Sequence, residues 1–168
     1  MTAQHPNLHR IADQVVSGAI DRGLTVATAE SLTAGMVAAV LADIPGASGM
    51  LQGGVVSYQN SVKADVLGVP KHLLDDVGAV DGRVAAAMAE GARRICGADV
   101  GVSTTGVAGP EPHGGKAVGS VFIGIATPNG STAYSYSFEG SRPEIRSLAC
   151  AAALDRLLEV LAEAQFPA

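Results

Sequence analysis

The sequence predicts an α/β fold, a three-layer α/β/α sandwich built on a mixed sheet of about five strands. Three observations carry this. Long stretches repeat apolar residues at helical spacing, and short runs between them read as strands. Val118 to Ala126 is apolar on both faces, as a strand covered from both sides must be. Helices and strands alternate early and a hairpin comes late, which places helices on both faces of a sheet with parallel and antiparallel members.

In chain order, Leu8, Ile11, Ala12, Val15, Val16, Ala19 and Ile20 lie on one face of a helix that ends near Gly23. Leu24 to Thr28 is the first strand, and Met36, Val37, Val40 and Leu41 mark a helix that stops before Pro45-Gly46. Val55 to Tyr58 is a second strand, with Gly53-Gly54 permitting a bulge or close backbone approach. Asn60 offers an N-cap for a short helix that carries Lys63 and ends at Leu67-Gly68. A loop surrounds Pro70, and Asp81 caps a helix with Val84, Met88, Ala92, Ile95 and Cys96 on its inner face. Val100 to Thr105 is the third strand. Pro128-Asn129-Gly130 turns the Val118 to Ala126 strand into an antiparallel partner in which Thr132, Tyr134, Tyr136 and Phe138 alternate. Arg142 to Glu163 closes the chain as a long helix with Leu154, Leu157, Leu158 and Leu161 towards the core.

Composition narrows the function. At 168 residues and 48% hydrophobic, the chain is expected to form a single domain, 1–168, around one core. A net charge of −5 and 4% aromatic residues argue against a nucleic-acid surface. Small anions remain possible ligands, because local amides and a few cations bind them whatever the net charge. Cys96 and Cys150 read as buried thiols of a reducing compartment. A polar start and the lack of a long apolar run lead us to expect no membrane segment and a cytoplasmic location. His5, His9, His72 and His113 show no metal-ligand spacing, so no metal and no cofactor are expected. Neither G-x-G-x-x-G nor a Walker A motif is present, nor is G-x-S-x-G around a serine.

The candidate chemistry gathers at Thr28-Ala29-Glu30-Ser31-Leu32-Thr33-Ala34-Gly35, where a strand runs into a helix through hydroxyl residues. Ser31 can be a nucleophile beside free helix-start amides, or an ordinary N-cap. Lys63, near the start of its helix, can be a base of lowered pKa or a solvated lysine, and Tyr58 a proton relay, a substrate-orienting group or a core residue. The Gly106 to Lys116 loop suits an anion by its glycine amides, or is merely a turn-rich connection. Arg142 and Arg146, one helical turn apart, suit a phosphate, or pair on the surface with Glu139 or Glu144.

Several stretches then combine. Ala29-Glu30-Ser31-Leu32-Thr33-Ala34-Gly35, Tyr58-Gln59-Asn60-Ser61-Val62-Lys63, Leu67-Gly68-Val69, Thr105-Gly106-Val107-Ala108-Gly109-Pro110, Lys116-Ala117-Val118-Gly119 and Phe138-Glu139-Gly140-Ser141-Arg142 together resemble the CinA C-terminal domain family, the nicotinamide-nucleotide amidases. The resemblance implies hydrolysis of the carboxamide of nicotinamide mononucleotide for pyridine-nucleotide salvage, in a stand-alone homo-oligomer. It implies Ser31 as nucleophile and Lys63 as base, with Tyr58 beside them. Glu30, Thr33, Thr105, Gly106 and the Ala108-Gly109 backbone would hold substrate, with Arg142 on its phosphate. The chain departs from the family's usual residues at Leu32, Ala34, Thr105, Ala117 and Ser141.

Overall fold

The computed structural model describes residues 6–164, so His5 lies outside it. Its elements are α1 (Leu8–Arg22), β1 (Val26–Glu30), α2 (Met36–Ala42), β2 (Leu51–Val56), α3 (Asn60–Asp65), α4 (Lys71–Val77), α5 (Gly82–Cys96), β3 (Val100–Gly106), β4 (Ser120–Thr127), β5 (Gly130–Ser137) and α6 (Arg142–Glu163). The strands form one five-stranded sheet in the order β2-β1-β3-β4-β5. β2, β1 and β3 run parallel, whereas β4 and β5 are antiparallel additions. The mixed sheet of the sequence reading is therefore the one observed.

On one face α1, α2 and α6 bury Val15, Leu41, Leu154 and Leu157 against Val100, Val102 and Ile123. On the other, α5 and the segments around α3 and α4 bury Leu67, Leu74 and Met88 against Ala27 and Ala29. α5 sits so close to the sheet that a Cβ on Gly101 or Gly124 would run into the backbone carbonyls of Ala89 and Ala85. Glycine there lets the helix backbone rest on β3 and β4.

At the far end of the sheet, β1 and β3 are tied by a reciprocal bracket. The Asp99 carboxylate accepts the Thr25 N–H and hydroxyl, each at 2.8 Å, and the Thr25 hydroxyl accepts the Asp99 N–H at 3.1 Å. From there the strands pair in register, Val26 opposite Val100 through Glu30 opposite Thr104.

Four local expectations change. The stretch after Pro70 is a helix, α4, seated by buried Leu74; at seven residues it is too short for its period to stand out. β2 begins at Leu51 and ends before Ser57 and Tyr58. Gln59 takes the N-cap position of α3, so Asn60 opens that helix. Ile20 and Ile95, assigned to inner faces, are each 43% exposed at the helix ends, and Cys96 is only partly buried.

Candidate active site

The chain leaves β1 towards β2 on one side, and leaves β3 towards β4 on the other. The carboxyl ends of adjacent parallel strands thus part, and a crevice opens where open α/β sheets take their ligands. A cavity of about 550 Å³ lies there, lined by Ser31, Leu32, Tyr58, Lys63, Val80, the residues from Thr105 to His113, and Arg142.

Ser31 follows β1 directly and is fixed to the sheet by its N–H, which donates to the Thr104 carbonyl at 2.9 Å. It does not cap α2, because Gly35 holds that position. The helix-start amides are instead satisfied from behind. The Glu30 carboxylate accepts the N–H of Gly35 and Val37, each at 3.0 Å, and of Ala38 at 2.9 Å, and it accepts the Thr33 hydroxyl at 2.6 Å. Glu30 and Thr33, expected to hold substrate, are 1% and 0% exposed and do not line the cavity. Strand alternation accounts for this: Ala27 and Ala29 face α5, so Thr28 and Glu30 face α2. Burial pushes the Cys150 thiol of α6 up to about 12, and the Glu30 charge pushes the same way.

The positive end of α2 is therefore neutralised by Glu30 and is not free for an oxyanion, contrary to the first expectation. A different donor stands at the turn. The Ser31 carbonyl accepts the Ala34 N–H at 3.1 Å, and in a trans peptide the Leu32 N–H points the opposite way. No described residue accepts it, and Leu32 lines the cavity.

Lys63 reaches Ser31 from α3. Its Nζ is 3.0 Å from Ser31 Oγ, and it donates to the carbonyls of Ser57 at 2.7 Å and Tyr58 at 3.1 Å. The side chain is 1% exposed, and burial lowers its pKa to about 8. A neutral amine has two N–H groups and one lone pair. With the N–H groups on the two carbonyls, the lone pair is left for the Ser31 hydroxyl. The pair is built for proton abstraction from an alcohol. The Ser57 hydroxyl nearby is buried without a partner among the described residues.

The remaining expected residues divide. Thr105 lines the cavity but donates its hydroxyl to the Ala79 carbonyl at 2.7 Å, so it holds the wall together. Gly106, Ala108 and Gly109 form a continuous backbone wall. Arg142 donates to the Gly109 carbonyl at 2.7 Å and to the Tyr58 hydroxyl at 2.8 Å, both neutral partners, leaving a cation at the mouth. Tyr58 thus holds Arg142 through its side chain and Lys63 through its carbonyl. Arg146 parts from Arg142: it donates to the Leu32 and Thr33 carbonyls at 2.8 and 3.0 Å. Spacing alone had grouped the two arginines, and only the fold separates them. No group of three or more metal-ligating side chains occurs among the described residues, and no helix there is long and apolar enough to cross a membrane.

Comparison with known proteins sets this site in a family. The chain is 49% identical over 143 residues to a CinA-like protein of Frankia casuarinae, covering 85% of this chain and 33% of that one. It is 46% identical over 152 residues to a CinA-like protein of Desulfotalea psychrophila, covering 88% of this chain and 36% of that one. The chain thus spans about a third of the length of these curated relatives. Among solved structures, the competence/damage inducible protein CihA of Agrobacterium tumefaciens superposes with a TM-score of 0.89 at 33% identity, covering 95% of this chain and 99% of that one. A CinA superfamily protein of Klebsiella pneumoniae gives 0.91 at 29% identity, covering 95% and 100%. With the family model matching residues 8–161, the chain belongs to the CinA C-terminal domain family.

Proposed function

We propose that this chain is a metal-independent, serine-dependent amidase that hydrolyses the carboxamide of nicotinamide mononucleotide to nicotinate mononucleotide and ammonia. The observation that carries the reading is the 3.0 Å contact between Ser31 Oγ and a buried Lys63 whose pKa lies near 8. Neutral Lys63 takes the Ser31 proton as Oγ attacks the carboxamide carbon, and the Leu32 N–H receives the developing oxyanion. The Lys63 ammonium returns that proton to the departing nitrogen, which leaves as ammonia. Water, deprotonated by the same amine, then cleaves the acyl ester and frees the carboxylate and Ser31.

Recognition follows from the walls. Leu32, Val80 and Val107 give the pyridine ring an apolar surface, and Arg142 with the Tyr58 hydroxyl suits a phosphate at the mouth. In this reading Tyr58 binds the substrate's anion and does not relay the proton, since its hydroxyl is engaged with Arg142. The enzyme works in the cytoplasm, as a homo-oligomer and without a nucleic-acid or membrane partner.

The test is ammonia release from nicotinamide mononucleotide by purified protein with chelator present, beside Ser31→Ala. Release that disappears in a folded Ser31→Ala which still binds the nucleotide supports the amidase. Binding without turnover in the native protein replaces it with a non-catalytic pyridine-nucleotide binding module.

A further inference from the structure

We propose that Arg146 is a positioning residue: its guanidinium, held on the Leu32 and Thr33 carbonyls, fixes the turn that presents Ser31 to Lys63. Leu32 and Thr33 are 4% and 0% exposed, so their carbonyls need a donor from the protein. The Thr33 carbonyl also receives the Met36 N–H at 3.1 Å, whereas Arg146 alone reaches the Leu32 carbonyl among the described residues. Nε and Nη2 lie on one edge of a rigid plane, so one guanidinium clamps two consecutive peptide groups. A lysine in its place offers one ammonium on a flexible stem and lacks the fixed two-nitrogen edge that matches both carbonyls.

The turn has reason to need a clamp. Ala34 sits at φ +50°, a left-handed backbone that L side chains disfavour and that surrounding contacts must enforce. Glu30 holds the turn from the core side through three amides, and Arg146 holds it from the α6 side through two carbonyls. Arg146 is itself mounted on a fixed platform. The Glu144 carboxylate accepts the Ser141 N–H at 2.7 Å to close the start of α6, and the flanking Ile145 and Ala149 are fully buried.

Lys63 is held by other partners than the turn, the Ser57 and Tyr58 carbonyls, with Ser57 N–H in turn donating to the Glu30 carbonyl at 2.8 Å. The alignment of Ser31 with Lys63 therefore depends on both segments, and loosening the turn misaligns the pair. A displacement of about 1 Å at reacting atoms lowers rates roughly 100-fold. The structural part of the proposal stands on these contacts, and its kinetic part rests on the amidase reading above.

Arg146→Met and Arg146→Lys test it, the second retaining the charge should the first fail to fold. Backbone amide exchange is read at Ala34 and Met36, and kcat and KM are measured with nicotinamide mononucleotide. In both variants exchange in the turn is expected to speed up at least about tenfold while α5 stays protected. kcat is expected to fall roughly 10- to 100-fold with KM within about twofold, and the lysine variant to restore only part of the loss. The pH midpoint, a property of Lys63, stays in place. Native-like exchange in the turn overturns the proposal, as does a raised KM with kcat intact, which would make Arg146 a ligand for the substrate's anion. An unchanged kcat on a loosened turn overturns it equally. If native protein shows no turnover, the amidase reading fails and the exchange measurement alone decides the role of Arg146.

Discussion

After β1 the chain passes into α2 through a turn whose polar groups are held from two sides. After β3, the neighbouring strand, it takes thirteen residues to reach β4. That longer loop is pinned at its base, where Val107 N–H donates to the Ser120 carbonyl and Gly119 N–H to the Val107 carbonyl at 2.9 and 2.8 Å, and at Gly109, whose carbonyl accepts Arg142 at 2.7 Å. Its tip, Glu111 to Gly115, is exposed and bonds mainly to itself through the His113–Lys116 bridge. Both segments line one cavity, yet the first is over-determined and the tip of the second is free to adjust. Bond-making needs a nucleophile held to fractions of an ångström, whereas closing around a ligand tolerates a wall that moves.

The largest expected effect sharpens the rigid side. Lys63→Met should lower kcat/KM by about 10²–10⁴, the range typical of a general base. In the proposed mechanism Lys63 acts when neutral, so kcat/KM should climb about tenfold per pH unit below a midpoint near 8 and level off above it. A profile that falls across that window would remove Lys63 as the base. Glu30→Ala leaves the buried Val37 amide and the part-buried Gly35 and Ala38 amides without their acceptor, and the Thr33 hydroxyl with Thr104 as its remaining partner, and should lose about 3 kcal/mol of stability in urea denaturation. A loss equal to that of an exposed carboxylate would show the turn to be held some other way. On the adjustable side, Glu111→Ala or His113→Ala should change KM by about threefold or less and kcat by less than twofold, because each tip residue contributes exposed surface alone. A collapse of kcat in either would erase the distinction. Ala34→Gly is the smallest change: relief of the left-handed strain, partly offset by glycine's greater freedom when unfolded, should add about 0.5–1 kcal/mol of stability.

Much of the architecture was legible because it rests on periodicity. The buried faces of α1, α5 and α6, the two-residue hairpin and the sheet of five strands follow from residue spacing and turn chemistry. α4 was not, since seven residues hold too few apolar positions to separate a helix from a loop. At the site, the serine turn announced itself locally, while the resemblance raised Ser31 and Lys63 above their structural readings. What the sequence could not show is which way each polar side chain turns. Glu30 faces inward to α2 and Arg146 reaches back to a turn 113 residues earlier, a pairing that chain closure alone creates. Glu30 was nevertheless within reach of sequence reasoning, because alternation along Ala27-Thr28-Ala29-Glu30 sets it on the side opposite the two alanines.

The Thr25–Asp99 bracket has a consequence at the opposite end of the sheet. Side chains alternate along a strand, so sliding β1 by one residue against β3 would turn its side chains to the opposite faces: in one direction Ser31 would take the buried place of Glu30, and in the other Glu30 would take the place of Ser31 at the cavity. The bracket makes no contact with the cavity, yet by fixing where the count begins it decides which residue arrives there. It serves the site as an index mark serves a scale.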